Sequence, residues 1–300
     1  MIKGYRSFRF ERKGEGKLKK RRKIKLSGAA VCLAAILLSG CTGQKESPVY
    51  TNLTDKDTQK EVCAELEKHG VTKEQTDTLV KWADDFNGRV TGFSFQDGFQ
   101  PLEKEGVDYT NLVLENRETE DGEYVPEANC RLTSFLLMKN KIHTEKSQLE
   151  DDTYLMFDIE AIDLYDQFKM SPEEKADYIC LFNWVPLEGA DTEEEHLEKI
   201  EKTWKDREIQ IEGDGISLIS VYLHSPLEDI RFIGHTGVLL ETEEGLLFAE
   251  KYGPLYPFQA VKFADREELK EYLLGRPDLY GDEIELEPII MENDKVMKTS

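Results

Sequence analysis

Long apolar runs are missing from this 300-residue chain, and so is any abundance of cysteine, histidine or positive charge. Its one sustained uncharged apolar stretch runs from Leu26 to Ser39, fourteen residues. A bilayer-spanning helix needs about 20, so a membrane span is excluded. Only five cysteines occur, and the three beyond position 41 (Cys63, Cys130 and Cys180) are irregularly spaced. That pattern is neither a disulfide framework nor a zinc ribbon, and it leaves at least one free thiol. His69, His143, His196 and His224 show no spacing that would gather a metal, so neither metal nor cofactor is expected. Basic residues number 39 against 61 acidic ones, a formal net charge of −22. Twelve of those basic residues but only two of the acidic ones lie in residues 1–40, so the remainder is more acidic still. Such a surface repels nucleic acid and anionic headgroups, and both are excluded as partners of the folded part. No internal repeat and no nucleophile elbow is present.

What is there begins with the amino terminus. A basic segment, including Lys19-Lys20-Arg21-Arg22-Lys23, precedes the apolar stretch, and Leu38-Ser39-Gly40-Cys41 follows it. Basic segment, short apolar core and small residues before a cleavage point make a secretory signal. The last four residues resemble the lipobox of bacterial lipoprotein precursors, in which the Cys sulfur takes a diacylglycerol. The sequence therefore predicts a signal peptide over 1–40, lipidated Cys41 with a tether over 41–52, one domain over 53–280 and an acidic tail over 281–300. It predicts attachment to the cell membrane through lipid on Cys41, on the extracytoplasmic face. Aromatics make up 10% of the chain and apolar periodicity runs almost to its end, so most of the acidic remainder is expected to fold.

Along that remainder, Asp55–His69 reads as a helix ended by Gly70, and Thr72-Lys73-Glu74-Gln75 as a capping box opening the next. Residues 89–128, with glycine at 92, 98, 106 and 122, read as short strands and loops. Asn129 introduces a helix through Met138. Ser171-Pro172-Glu173-Glu174 starts another, with proline at the first helical position, and a third follows Thr192. The pattern then turns to strands: Ile216–His224, Phe232–Glu241, a turn over Thr242–Gly245, Leu246–Tyr252 and Phe258–Phe263. Asp265 caps a last helix, Arg266–Leu274, and Ile284–Leu286 is either one more strand or loose. Helices first and an antiparallel sheet later is an α+β class.

Two segments can carry chemistry. In Asn129-Cys130-Arg131, Asn is a favoured N-cap, which puts the Cys130 thiol on the first helical turn beside unpaired N–H groups and the positive helix end. That setting lowers a thiol pKa. In Gly234-His235-Thr236-Gly237, the glycines are expected to leave room for another chain or a substrate to approach beside His235. If the hairpin turns at Thr242–Gly245, paired positions sum to 487 and Glu250 lies opposite Gly237, diagonal to His235 and on its face. Glu250 is then the residue to orient His235. The alternative is bland: free Cys is often a core residue, and His235 a satisfied core histidine. Cys63 and Cys180, inside amphipathic helices, are expected to be core thiols.

Cys at a helix start, His on a later strand and a polar residue on the next resembles papain-like hydrolases, NlpC-type cell-wall peptidases above all. The NlpC pattern has Asp before the Cys and Ser-Gly after it, where this chain has Asn129 and Arg131, and its orienter is usually His, Asn or Gln rather than Glu. The resemblance implies a papain-like arrangement and hydrolysis of amide bonds: Cys130 as nucleophile, His235 as base, Glu250 as its orienter, and cell-wall peptide as substrate. The Cys130 N–H would hold the oxyanion with an upstream side chain, Gln96 or Tyr109. The segments Asn129–Thr133 and Arg231–Leu240 also resemble an uncharacterised family of bacterial lipoproteins, domain of unknown function 4300, over about Tyr50 to Pro277. A non-catalytic lipoprotein that binds a protein or peptide partner is the competing expectation. A transporter's solute-binding component fits poorly, because two repeated α/β lobes are missing.

Overall fold

The computed structural model describes residues 47–299 apart from 105, 120, 146–151, 278 and 280–283. Cys41 and the expected signal peptide lie outside the described residues. Helices begin where the capping residues predict. Asp55 caps α1 (Lys56–Lys68), and Thr72 and Gln75 form a reciprocal capping box on α2 (Lys73–Gly88). Asn129 caps α3 (Cys130–Met138). A further helix, α4 (Met156–Leu164), was not visible in the sequence. Its apolar residues form no stripe, and Met156, Phe157 and Leu164 stay exposed, so the 3.6-residue signal is absent. Ser171–Glu174 and Thr192–Glu195 are capping boxes on α5 (Pro172–Phe182) and α6 (Glu193–Asp206), and Asp265 caps α7 (Arg266–Gly275).

Nine strands make one antiparallel sheet: β1 (Val49–Thr51), β2 (Gln100–Pro101), β3 (Val185–Pro186), β4 (Ile216–Ser225), β5 (Ile230–Thr242), β6 (Gly245–Lys251), β7 (Phe258–Phe263), β8 (Ile289–Glu292) and β9 (Lys295–Val296). Their order is β9-β8-β4-β5-β6-β7-β1-β2, with β3 paired to the start of β5. Three strands, β1, β8 and β9, fall outside the span expected for the domain. Val49–Thr51, inside the expected tether, pairs with β7, and Ile289–Glu292, inside the expected tail, pairs with β4. Each of these two pairs along a longer strand's otherwise open edge, and β8 also buries Ile289, Ile290 and Met291; both are too short to show a pattern in sequence. Ile284–Leu286 forms no strand.

Alternation decides what each face touches. Leu218, Val238, Leu240, Leu247, Ala249 and Ala260 join the large core beneath the helices, with Phe86, Leu132, Phe135 and Tyr178. Ile219, Val221, Leu239, Phe248, Val261 and Phe263 face the other way, against Leu269, Tyr272 and Leu273 of α7 and Tyr109. The sheet is thus covered on both sides, and each fully buried Leu or Phe contributes about 1.5–3 kcal/mol. The α+β expectation holds: seven helices among the described residues and antiparallel sheets.

Candidate active site

The site is built where α3 begins. Asn129 Oδ1 accepts from the Leu132 N–H at 2.9 Å, so Cys130 is the first helical residue. The cap is itself clamped by buried Asp158 on α4, which accepts from Asn129 Nδ2 at 2.5 Å, Arg131 Nε at 2.6 Å and Tyr178 Oη at 2.8 Å. Arg131 also donates through Nη1 to the Ile233 carbonyl of β5 at 3.3 Å. That carbonyl is available because β3 leaves β5 after Arg231 and β6 joins only at Gly237. Both neighbours of Cys130 are therefore clamped by Asp158, and Arg131 also ties the helix start to an interrupted stretch of β5.

His235 lies in that interruption. The β4–β5 register shifts between Val221 and Tyr222: His235 pairs with Val221 and Ile233 with Tyr222, leaving Gly234 as the extra residue. The bulge puts Ile233 among the helices while His235, paired with Val221, turns to the α7 face. Bulges often re-aim a side chain in this way beside a site. Of the two approaches expected beside the flanking glycines, that of neighbouring chain is the one found. A Cβ on Gly234 would meet Leu223 Cδ1 at 2.3 Å, and one on Gly237 would meet Phe248 Cζ at 2.3 Å. Neighbouring side chains of the sheet fill the space.

The hairpin register is the expected one. Gly237 pairs with Glu250 and Thr242 with Gly245, Gly245 taking a φ of +133°. Glu250 is diagonal to His235, and its Oε2 is 2.5 Å from His235 Nε2. It also accepts from Arg276 Nη1 at 2.9 Å on Oε2, and from Tyr272 Oη at 2.5 Å and Gln259 Nε2 at 3.3 Å on Oε1. Two donors on each oxygen satisfy a carboxylate that is fully buried. An ionised carboxylate only accepts, so Nε2 carries the ring proton and Nδ1 is the nitrogen free for the thiol. Beyond Gln259, Tyr109 Oη donates to Gln259 Oε1 at 2.8 Å and accepts from Asn52 Nδ2 at 2.7 Å.

Cys130 and His235 are electrostatic neighbours, and each shifts the titration of the other. Burial works to raise the Cys130 pKa, but the hydrogen bond to His235, the charge of that ring and Arg131 outweigh it, and the thiol titrates below its ordinary value. Burial and then Arg276 push His235 down, and the bonds to Cys130 and Glu250 with the Glu250 charge carry it above its ordinary value. Burial would raise Glu250; Arg276 first, then His235 and Tyr272, hold it below the usual carboxylate range. The arrangement favours thiolate facing imidazolium facing carboxylate, which suits nucleophilic attack followed by proton return. Access is narrow: Cys130 is 7% exposed and His235 2%.

The other singled-out residues are elsewhere. Cys63 is half-buried on α1 and pushed up to about 11 by burial, then by Glu67 and Asp77. Cys180 is buried on α5 and raised by burial. Gln96 is exposed, its side chain donating to the Ser94 carbonyl at 3.4 Å. Tyr109 spends its hydroxyl on Gln259, so it is not an oxyanion donor. His196 and His224 surround fully buried Arg231, whose Nε donates to His196 Nδ1 at 3.1 Å. No cluster able to hold a metal occurs among the described residues. Sequence reasoning missed Asp158, Gln259, Tyr272 and Arg276. A buried arginine between Gly275 and Pro277 reads only as the end of a helix.

A nine-stranded α+β domain with a buried Cys–His–Glu chain at a helix start is thus defined by fold and site together. The chain belongs to the family described as domain of unknown function DUF4300, whose model matches residues 49–297. The match starts with β1 and ends just past β9, so it takes in the whole sheet. No curated protein matches the chain, and no solved structure matches it.

Proposed function

We propose that this chain is a membrane-anchored, extracytoplasmic cysteine hydrolase of amide or peptide bonds, papain-like in arrangement, with cell-wall peptide as its substrate class. One observation carries the reading: a thiol on the first turn of a helix, electrostatically coupled to a histidine whose Nε2 is held by a saturated carboxylate. In the reaction, Nδ1 of His235 takes the Cys130 proton and the sulfur attacks the carbonyl carbon. The tetrahedral oxyanion faces the N–H groups of the first turn of α3. The C–N bond breaks as the imidazolium returns its proton to the departing amine. Water, deprotonated by the same ring, then releases the acid from the thioester. The substrate class follows from the NlpC-type resemblance and from a lipid on Cys41, which would hold the domain beside the wall.

The test incubates the whole chain with purified cell-wall peptides and reads new amino groups and any acyl adduct on Cys130 by mass spectrometry. Cleavage that disappears in Cys130→Ala and His235→Ala is expected. Absence of both product and adduct would overturn the reading in favour of a lipoprotein that binds a peptide or protein partner without chemistry. The observation favouring that second reading is the burial of Cys130 and His235. For the anchor, Cys41→Ala is expected to lose labelling by a palmitate analogue; undiminished labelling would refute it.

A further inference from the structure

Beside the three residues of the proposed chemistry stands a fourth charged group that the reaction does not need as nucleophile, base or orienter. Arg276 follows α7 directly, and its side chain is 1% exposed. Its guanidinium makes three contacts toward the site. Nη1 donates to Glu250 Oε2 at 2.9 Å, Nη2 donates to the Tyr252 carbonyl at 2.7 Å, and the plane lies 3.7 Å over the Tyr252 ring. The same Nη1 is 3.2 Å from His235 Nε2. Because the Nε2 proton points to Glu250, this last contact is two donors side by side. It becomes a like-charge contact when the ring is protonated.

The groups facing His235 can be counted element by element. From α3 come Cys130 and, beyond it, Arg131; from β6, Glu250; from α7, Tyr272 through Glu250, and then Arg276. From β4 the partner is Val221, which is apolar. Among the described residues Arg276 is therefore the one cation in direct contact with the imidazole, and it shares a carboxylate oxygen with it.

We propose that Arg276 is a positioning residue of this site, fixing Glu250 as a carboxylate on Nε2 of His235 while opposing the imidazolium that Glu250 favours. The inference rests on the hydrolase reading for its purpose. An imidazolium held only by a buried carboxylate would keep its proton too firmly to return it to a leaving amine, whose departure needs an acid of moderate strength. A cation at the same nitrogen brings that acid back toward the working range. The grip on Tyr252 sets Arg276 at a fixed distance, which a flexible ammonium would not do.

The test titrates the ring signals of the whole chain labelled with 13C-histidine, His235 being assigned by its loss in His235→Gln. A neighbouring charge shifts a pKa by about 1–3 units, and sharing with Glu250 puts Arg276 at the low end. Arg276→Gln is expected to raise the His235 midpoint by about one unit, tenfold in proton affinity. Arg276→Lys, which keeps the charge, is expected to move it by less than about half of that. An unchanged midpoint in folded Arg276→Gln overturns the proposal, because a purely structural arginine would leave the titration alone. If Arg276→Gln does not fold, Arg276→Met, which also removes the charge, decides: a midpoint raised by about one unit supports the proposal, and a midpoint at the wild-type value overturns it. No substrate enters the measurement. A chain that shows the shift but cleaves nothing would sink the hydrolase reading and leave this one standing.

Discussion

Glu250→Gln changes one atom's identity and keeps the side chain's shape, so it isolates what the carboxylate does. In the wild type, Glu250 accepts four hydrogen bonds, two of them on Oε2 from His235 and Arg276. The amide retains one accepting oxygen, which Arg276 and His235 call for at the Oε2 position, and its NH2 replaces Oε1 opposite the Gln259 Nε2 donor. Arg276, whose side chain is 1% exposed, loses the carboxylate charge it is paired with at Oε2. Removing one partner of a buried ion pair costs about 3–5 kcal/mol. For a domain of this size each kcal/mol lowers Tm by about 2–4 °C, so the midpoint should fall by roughly 6–20 °C. The second consequence concerns the ring. Loss of the anion weakens the imidazolium by about 1–3 pKa units. Circular dichroism melts and the pH profile of Cys130 alkylation read the two effects separately. A melting midpoint within about 2 °C of the wild type, under 1 kcal/mol, would refute the claim that Glu250 and Arg276 form a buried pair.

Two further outcomes follow from the fold. Gly234→Ala puts a methyl 2.3 Å from Leu223 Cδ1 and 2.5 Å from its Cγ, so repacking should cost about 1–3 kcal/mol; an unchanged urea midpoint would show that the bulge is loose. His196 and His224 both accept through Nδ1, from Arg231 and from the Leu286 N–H, and burial, then Arg231, holds the pKa of each below its ordinary value. Their folded pKa lies under the unfolded one, so they stabilise the domain above about pH 6.5 and that contribution is lost as pH falls below it. Urea midpoints measured from pH 7 to 5 should decline, and the decline should flatten in His196→Gln; an equal slope in both would discount the pair.

Much of this was legible locally. Asn129, Ser171, Thr192 and Asp265 announce their helices because a cap acts within three residues. The register of β5 on β6 was legible because the turn over Thr242–Gly245 and the alternation of the flanking strands jointly fix it. That register brings Glu250 to His235. What could not be read depends on distant neighbours. Asp158 meets Arg131 across 27 residues and Arg276 meets Glu250 across 26, each requiring the packing of a whole helix to be known first. The bulge at Gly234 is equally hidden, because it is a property of pairing with β4. Strands β1 and β8 escaped because three or four residues carry no periodicity; their partners make them strands.

The measurement closest to the central claim is the pH dependence of Cys130 alkylation by iodoacetamide, followed by peptide mass spectrometry beside Cys63 and Cys180. The shape of the profile reports the thiolate whatever the access to the sulfur. The account predicts an inflection for Cys130 below the reference value of about 8.5, inflections above it for the other two thiols, and an upward move of the Cys130 inflection in folded His235→Ala. An inflection for Cys130 at or above about 8.5 in the wild type, unmoved by His235→Ala, would make Cys130 a packing residue and contradict the account.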